Sequence, residues 1–180
     1  SGSVGGIIGF SNYGTKTLNN NIVRGVTINS RTGAGGLIGS ISSRESNSFA
    51  FNNCTVEDLT FVSEGKVTSS GGLVGQVYWR GSEGTTFSAT GCTVSDVKVD
   101  AAEGSKAGAL FGEFGTTGSN TYTAENVTVT AGNSENTVSQ LVGNSNLGNS
   151  TFVMKGDSTK IDAAYAGEAV DYLEDLSLIH

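Results

Sequence analysis

Apolar residues fall into two recurring patterns along the chain. The first is an apolar pair framed by glycine, met five times: Gly6-Ile7-Ile8-Gly9, Gly36-Leu37-Ile38-Gly39, Gly72-Leu73-Val74-Gly75, Ala109-Leu110-Phe111-Gly112 and Gln140-Leu141-Val142-Gly143. The closing glycines lie 30, 36, 37 and 31 residues apart, a spacing that marks a stack of similar units. The second pattern lies between these motifs, in Ile22–Ile28, Thr55–Phe61, Thr93–Val99 and Thr123–Val129, each ending in apolar, polar, apolar alternation. Period 2 with β-branched residues predicts half-buried strands. Within the segments the apolar phase breaks, because Val56 and Leu59, like Val94 and Val97, are three apart. A corner is therefore expected at the column Gly25, Asp58, Asp96 and Asn126, residue types that adopt left-handed backbone conformations readily.

Roughly three short strands per repeat of this length make one coil of a parallel β-helix, whereas helical repeats of similar period need a helical periodicity that these segments lack. A β-propeller would want four clear strands per blade. The predicted fold class is all-β, a β-solenoid of about four to five coils over residues 1–155. Stacking aligns Ile7, Leu37, Leu73, Leu110 and Leu141 in one ladder. Two more are expected: Val26, Leu59, Val97 and Val127, and Ile28, Phe61, Val99 and Val129. Burial along such ladders, at roughly 25 cal/mol per Å² of apolar surface, offsets chain entropy. The second residue of each glycine-framed pair has opposite parity to the first, so one of the two is expected to face outward or to sit at a bend. Residues 156–180 change character to Ala-rich and acidic, and Tyr165, Ala169, Tyr172 and Leu176 recur at helical spacing. A short helical or irregular cap, or the start of a following segment, is expected there.

Composition supports a many-cornered sheet protein. The 180 residues include 27 glycines and no proline, and proline would remove a ladder N–H. A formal net charge of −7 with few, scattered basic residues argues against a nucleic acid or an anionic membrane as partner. No stretch approaches the roughly 18 apolar residues of a membrane-spanning helix, so no membrane insertion by this chain is expected. Beginning almost inside its first motif, the chain reads as a processed form or an excerpt of something longer.

Candidate chemistry is sparse. Cys54 and Cys92 share a repeat position, in Asn-Cys-Thr-Val and Gly-Cys-Thr-Val, and in-register side chains of stacked strands point side by side. Two buried free thiols acting as small hydrophobes are expected in preference to a bridge. The one histidine, His180, is the last residue, which leaves a nucleophilic triad without a positioned base. Metal ligation and cofactor binding are not expected. Asp58 and Asp96, about 5 Å apart if stacked, match the carboxylate separation of retaining glycosidases, yet corner geometry explains all four residues of their column and catalysis only two. Thr27, Thr60 and Thr128 suggest a surface row that Lys98 interrupts, too imperfect for an ice-binding face. Tyr78, Trp79 and Arg80 are the candidate binding residues, since aromatic faces stack on sugars and Arg holds an acidic group. The competing reading packs Trp79 inward, in the parity of Leu73 and Val77.

The Gly-Gly-Leu-Val-Gly motif at residues 71–75, preceded by the Asn-Cys-Thr-Val strand, resembles the GLUG-type repeats of bacterial surface proteins. The resemblance covers about residues 4–143, with Ala109 and Gln140 departing from glycine in the fourth and fifth copies. It implies a right-handed parallel β-helix outside a bacterial cell, extracellular or on its surface, and it does not imply catalysis. The expected function is a non-enzymatic, adhesin-like or stalk domain presenting a surface to a glycan or to a host or bacterial surface protein. The alternative is a recognition domain of a larger secreted carbohydrate-active enzyme or peptidase. Oligomeric state is left open.

Overall fold

The computed structural model describes residues 2–12, 14–43, 47–79, 85–115, 121–131, 137–139, 142–146, 151–156 and 172–174. The first repeat runs β1 (Val4–Gly5), β2 (Ile8–Asn12), β3 (Lys16–Asn19) and β4 (Ile22–Asn29). The second runs β5 (Ala34–Gly35), β6 (Ile38–Ser43), β7 (Ser48–Asn52) and β8 (Thr55–Ser63). The third is β9 (Ser70–Gly71), β10 (Val74–Trp79), β11 (Thr86–Thr90) and β12 (Thr93–Ala101), and the fourth β13 (Lys106–Gly108), β14 (Phe111–Gly115), β15 (Thr121–Glu125) and β16 (Thr128–Ala131). After these come β17 (Thr137–Ser139), β18 (Val142–Asn146), β19 (Thr151–Lys155) and β20 (Tyr172–Glu174).

The protein is all-β, and each strand pairs in parallel with the equivalent strand of the neighbouring repeat. Sheet A holds β1-β5-β9-β13-β17, sheet B β18-β14-β10-β6-β2, sheet C β20-β19-β15-β11-β7-β3 and sheet D β16-β12-β8-β4. The chain visits A, B, C and D in that order and returns to A one strand further along. This is the topology of a parallel β-helix or solenoid. Each of the first four repeats thus supplies four strands rather than three. Sheet A escapes the sequence pattern because its strands are two or three residues long, mostly Gly, Ala and Ser, too short to show alternation.

The glycine-framed pair lies where sheet A passes into sheet B, and both members of the pair face the interior. Leu37, Ile38, Leu73 and Val74 are fully buried. Of the two outcomes the parity leaves open, the bend is the one observed: the chain bends at the first member of the pair, so residues of opposite parity both point inward. Ile7 at the start of the ladder is exposed, and Leu141 lies outside the described residues. The framing glycines do not have positive φ; their role is close approach. A Cβ on Gly35 would lie 2.7 Å from the Gly75 nitrogen, and one on Gly5 or Gly108 would lie 2.6 Å from the nitrogen of Gly39 or Gly143. Sheet A of one repeat therefore rests backbone to backbone on the closing glycine of the next.

The corner column holds, with one correction. Gly25, Asp58 and Asp96 have φ of 64°, 52° and 52°, while the chain on either side keeps one register, Glu57 with Ser95 and Leu59 with Val97. The corner is a single left-handed residue skipped within a continuous strand. Asn126 also has positive φ, but it belongs to a second column with Asn20, Asn53 and Gly91 at the turn from sheet C to sheet D, and Gly156 has the same left-handed φ at the end of β19. The amide of Asn126 donates to the carbonyl of Lys155, as that of Gly91 donates to Glu125 and that of Asn53 to Thr90. Consequently Val129 pairs with Val94, Thr128 with Thr93, and Val127 follows the Cys54 and Cys92 positions. The fourth repeat drops the Asp96 corner: its register passes from Ser95 opposite Thr130 directly to Val97 opposite Ala131.

The interior is otherwise as the alternation predicts. Val26, Leu59 and Val97, and Ile28, Phe61 and Val99, form two ladders. On sheet C, Phe49, Phe87 and Tyr122 stack with centroids 5.2 and 4.9 Å apart and ring planes 11° from parallel, and Phe111 meets the last two edge-on. Each such pair contributes about 1 kcal/mol beyond its buried area. Tyr172–Glu174 form β20 against β19, a strand where helical spacing was expected; β19 offers ladder partners that an isolated helical turn lacks. The rest of the expected cap lies outside the described residues.

Two substitutions separate the two uses of glycine. Gly75→Ala, whose Cβ would lie 2.5 Å from the backbone of Ala34, is expected to cost about 3 kcal/mol or more in urea denaturation. Gly25→Asn, with φ of +64° and nothing within 4 Å, is expected to cost less than about 1 kcal/mol.

Candidate functional site

The outward face of sheet D carries the charged corner residues. Arg24 Nε donates to Glu57 Oε2 at 2.6 Å and Lys98 Nζ to Asp58 Oδ1 at 3.2 Å. Both pairs join neighbouring repeats and are exposed, so each contributes at most about 1 kcal/mol. The left-handed backbone turns both Asp58 and Asp96 outward, into solvent. The geometry accounts for their residue type without a catalytic role. The row expected from Thr27, Thr60 and Thr128 dissolves, since Thr128 lies with Thr93 and Thr55, and that row begins with Ile22.

The outward face of sheet B holds a polar cluster for which the sequence gives no motif. Gln76 and Glu113 are register partners, and Gln76 Nε2 donates to Glu113 Oε2 at 2.8 Å. Ser69 Oγ, from the loop leading into sheet A, donates to the same carboxylate oxygen. Gln76 and Ser69 are buried and Glu113 half-buried. Ser3 Oγ donates to Ser40 Oγ at 2.8 Å, and Val67 N to Ser105 Oγ at 3.0 Å. These contacts fasten the loops entering sheet A, two of them onto the outer face of sheet B. The cluster acts as a set of fasteners, in which one carboxylate oxygen of Glu113 is held by two neutral donors.

Cys54 and Cys92 are free and buried, as their shared position predicts. Cys54 Sγ donates to the Leu18 carbonyl at 3.4 Å and Cys92 Sγ to that of Phe51 at 3.3 Å, each one repeat back. Burial pushes the Cys92 thiol up to about 11. Both act as small apolar plugs with a weak donor.

Of the sequence-predicted binding residues, Tyr78 and Trp79 belong to β10, paired with Ser42 and Ser43 of β6. Their side chains, and Arg80 entirely, lie outside the described residues, as does His180. Among the described residues no three His, Cys, Asp or Glu side chains are grouped to hold a metal ion, and no helix is long and apolar enough to cross a membrane.

Asp96→Asn is expected to leave stability within about 0.5 kcal/mol of the parent, and Asp96→Val to lose about 1–2 kcal/mol, because a β-branched residue resists the left-handed region. For Cys92, the thiol is protonated in both states below pH 9, and the unfolded thiol, near 9.0, ionises before the folded one at about 11. Stability contributed by this group is thus present below pH 9 and lost as pH rises toward 11, on the order of 2 kcal/mol in all. Cys92→Val, copying Val127 one repeat on, is expected to flatten that loss in denaturation midpoints measured from pH 8 to 11. Comparison with protein-family models, curated proteins and solved structures returns no match for this chain.

Proposed function

We propose that the chain is a right-handed parallel β-helix of about four to five coils, with residues 156–180 as its cap. It works as a non-enzymatic extracellular domain, a stalk or adhesin-like surface of the GLUG-repeat kind that presents an outer face to a glycan or a surface protein. The observation that carries this reading is the division of labour across the strands. Interior positions are filled by continuous apolar and aromatic ladders from one repeat to the next. Outward positions on sheets C and D carry small polar and charged groups in register, such as Ser48, Thr86 and Thr121, and Thr55, Thr93 and Thr128.

Such a frame holds its outer groups on a rigid lattice of strands about 4.8 Å apart, suited to an extended partner that meets several repeats at once. It also suits a spacer, because the repeats are bonded to one another along four sheets. Tyr78, Trp79 and Arg80 follow the third glycine motif and supply the stacking and charged groups a sugar requires. Binding through them rests on their chemistry and on their place at the end of β10.

A glycan array probed with the chain and with Trp79→Ala tests the binding half of the proposal. The expected result is retention of one glycan class by the parent, lost or weakened at least about tenfold by the substitution, as removal of an aromatic platform predicts. Absence of binding to any glycan at millimolar concentration contradicts the glycan reading and leaves a protein partner or a spacer role.

A further inference from the structure

Cys54 and Cys92 are two rungs of one column. Thr55 N donates to the carbonyl of Asn21, Thr93 N to that of Cys54 and Thr128 N to that of Cys92, so the column runs Asn21, Cys54, Cys92 and Val127 through successive repeats. The two thiols are placed alike. Cys54 Sγ lies 3.4 Å from the carbonyl oxygen of Leu18 and 3.6 Å from that of Asn52, and Cys92 Sγ lies 3.3 Å from that of Phe51 and 3.7 Å from that of Thr90. Leu18 and Phe51 are register partners, as are Asn52 and Thr90, so the surroundings of one sulfur are those of the other moved by one repeat. The sulfurs are therefore one strand spacing apart, about 4.8 Å, and the line between them runs along the stack, across both side chains.

That placement is wrong for a disulfide, whose sulfurs must close to about 2.05 Å, and two ligands are too few for a structural zinc ion. It suits an ion held by two sulfurs in line. With metal–thiolate bonds of about 2.3 Å, such an ion sets its sulfurs about 4.6 Å apart, close to the strand spacing. Each Cβ–Sγ bond then stands nearly at right angles to the metal bond, the angle divalent sulfur prefers. Both cysteines are buried, at 0% and 1% exposure, which keeps water from adding as a third ligand. Among the described residues no His, Asp or Glu joins them in a group of three. Two thiolates carry two negative charges, which a divalent ion cancels, and a neutral set is the one a dry interior holds.

We propose that Cys54 and Cys92 form a two-coordinate site for a soft divalent cation, the mercuric ion, which bridges the second and third repeats. Thiolate ligands select soft ions of this class over magnesium and calcium. Binding exchanges two S–H bonds for two metal–sulfur bonds and releases two protons, with no change of oxidation state. The strands hold both sulfurs at the required separation beforehand, so the second bond closes without rearrangement of the chain. Asn21, half-buried in the first repeat, lies one rung from Cys54 and gives the ion its approach.

Titration of the native chain with mercuric chloride against millimolar glutathione, followed by thiolate charge-transfer absorbance and native mass spectrometry, tests the proposal. The expected result is one ion retained per chain with two protons released, two sulfur neighbours and no third by X-ray absorption, and no retention of zinc. Cys54→Val and Cys92→Val, the latter copying Val127, are each expected to weaken retention at least about a hundredfold with circular dichroism unchanged. Because the folded chain presents the two sulfurs ready spaced, the ion should also raise the urea midpoint of the parent chain, a readout that needs no variant. Failure of the native chain to retain the ion overturns the proposal. So does a second ion per chain, an ion shared between two chains, a third sulfur neighbour, an unchanged midpoint, or full retention by either folded variant.

Discussion

The structure depends on how closely two backbones approach where sheet A meets sheet B. At each passage a glycine of one repeat lies against the closing glycine of the next, with separations that leave no space for a Cβ. Everything else follows from that contact. It permits the chain to bend within two residues, so that both members of the apolar pair turn inward, and it sets one repeat on the next in fixed register. The absence of proline fits the same constraint, since backbone N–H groups throughout these short strands serve partners in a neighbouring repeat.

Given that register, burial accumulates at little cost in new types of contact. The aromatic stack of Phe49, Phe87 and Tyr122, the paired aliphatic ladders and the plugs of Cys54 and Cys92 are one solution repeated. Each repeat buries its neighbour's face, which no single repeat could do alone. The two left-handed columns mark where the wall changes direction, and their Asn, Asp and Gly residues are set by backbone conformation. A carboxylate at such a corner is therefore poor evidence of catalysis. Asp58 is a corner first and the partner of Lys98 second.

Much of this is legible in the residues, and what is not has physical causes. The period, the interior ladders and the corner at Asp58 and Asp96 follow from spacing and alternation. Asn126 falls in the wrong column on sequence alone because both corners carry the same local pattern: Asn53-Cys54-Thr55-Val56 and Asp58-Leu59-Thr60-Phe61 each set apolar, Thr, apolar after a left-handed residue. Asn126-Val127-Thr128-Val129 fits either, and only strand pairing distinguishes them. Sheet A is invisible to periodicity because its strands are shorter than the alternation needs. The Ser69, Gln76 and Glu113 cluster escapes a motif search because Ser69 and Glu113 are 44 residues apart. Placing them together requires the register itself. The binding residues Tyr78, Trp79 and Arg80 rest on chemical type and position in the chain.

The most direct test of the central contact is nuclear Overhauser spectroscopy on a uniformly labelled sample. The α-protons of Gly5, Gly35 and Gly108 should show cross-peaks to the amide protons of Gly39, Gly75 and Gly143, one repeat further on in each case. If those cross-peaks are absent while the parallel strand contacts, such as Thr93 with Thr128, are present, the repeats stack without the glycine contact, and close backbone approach is not the constraint that sets their register.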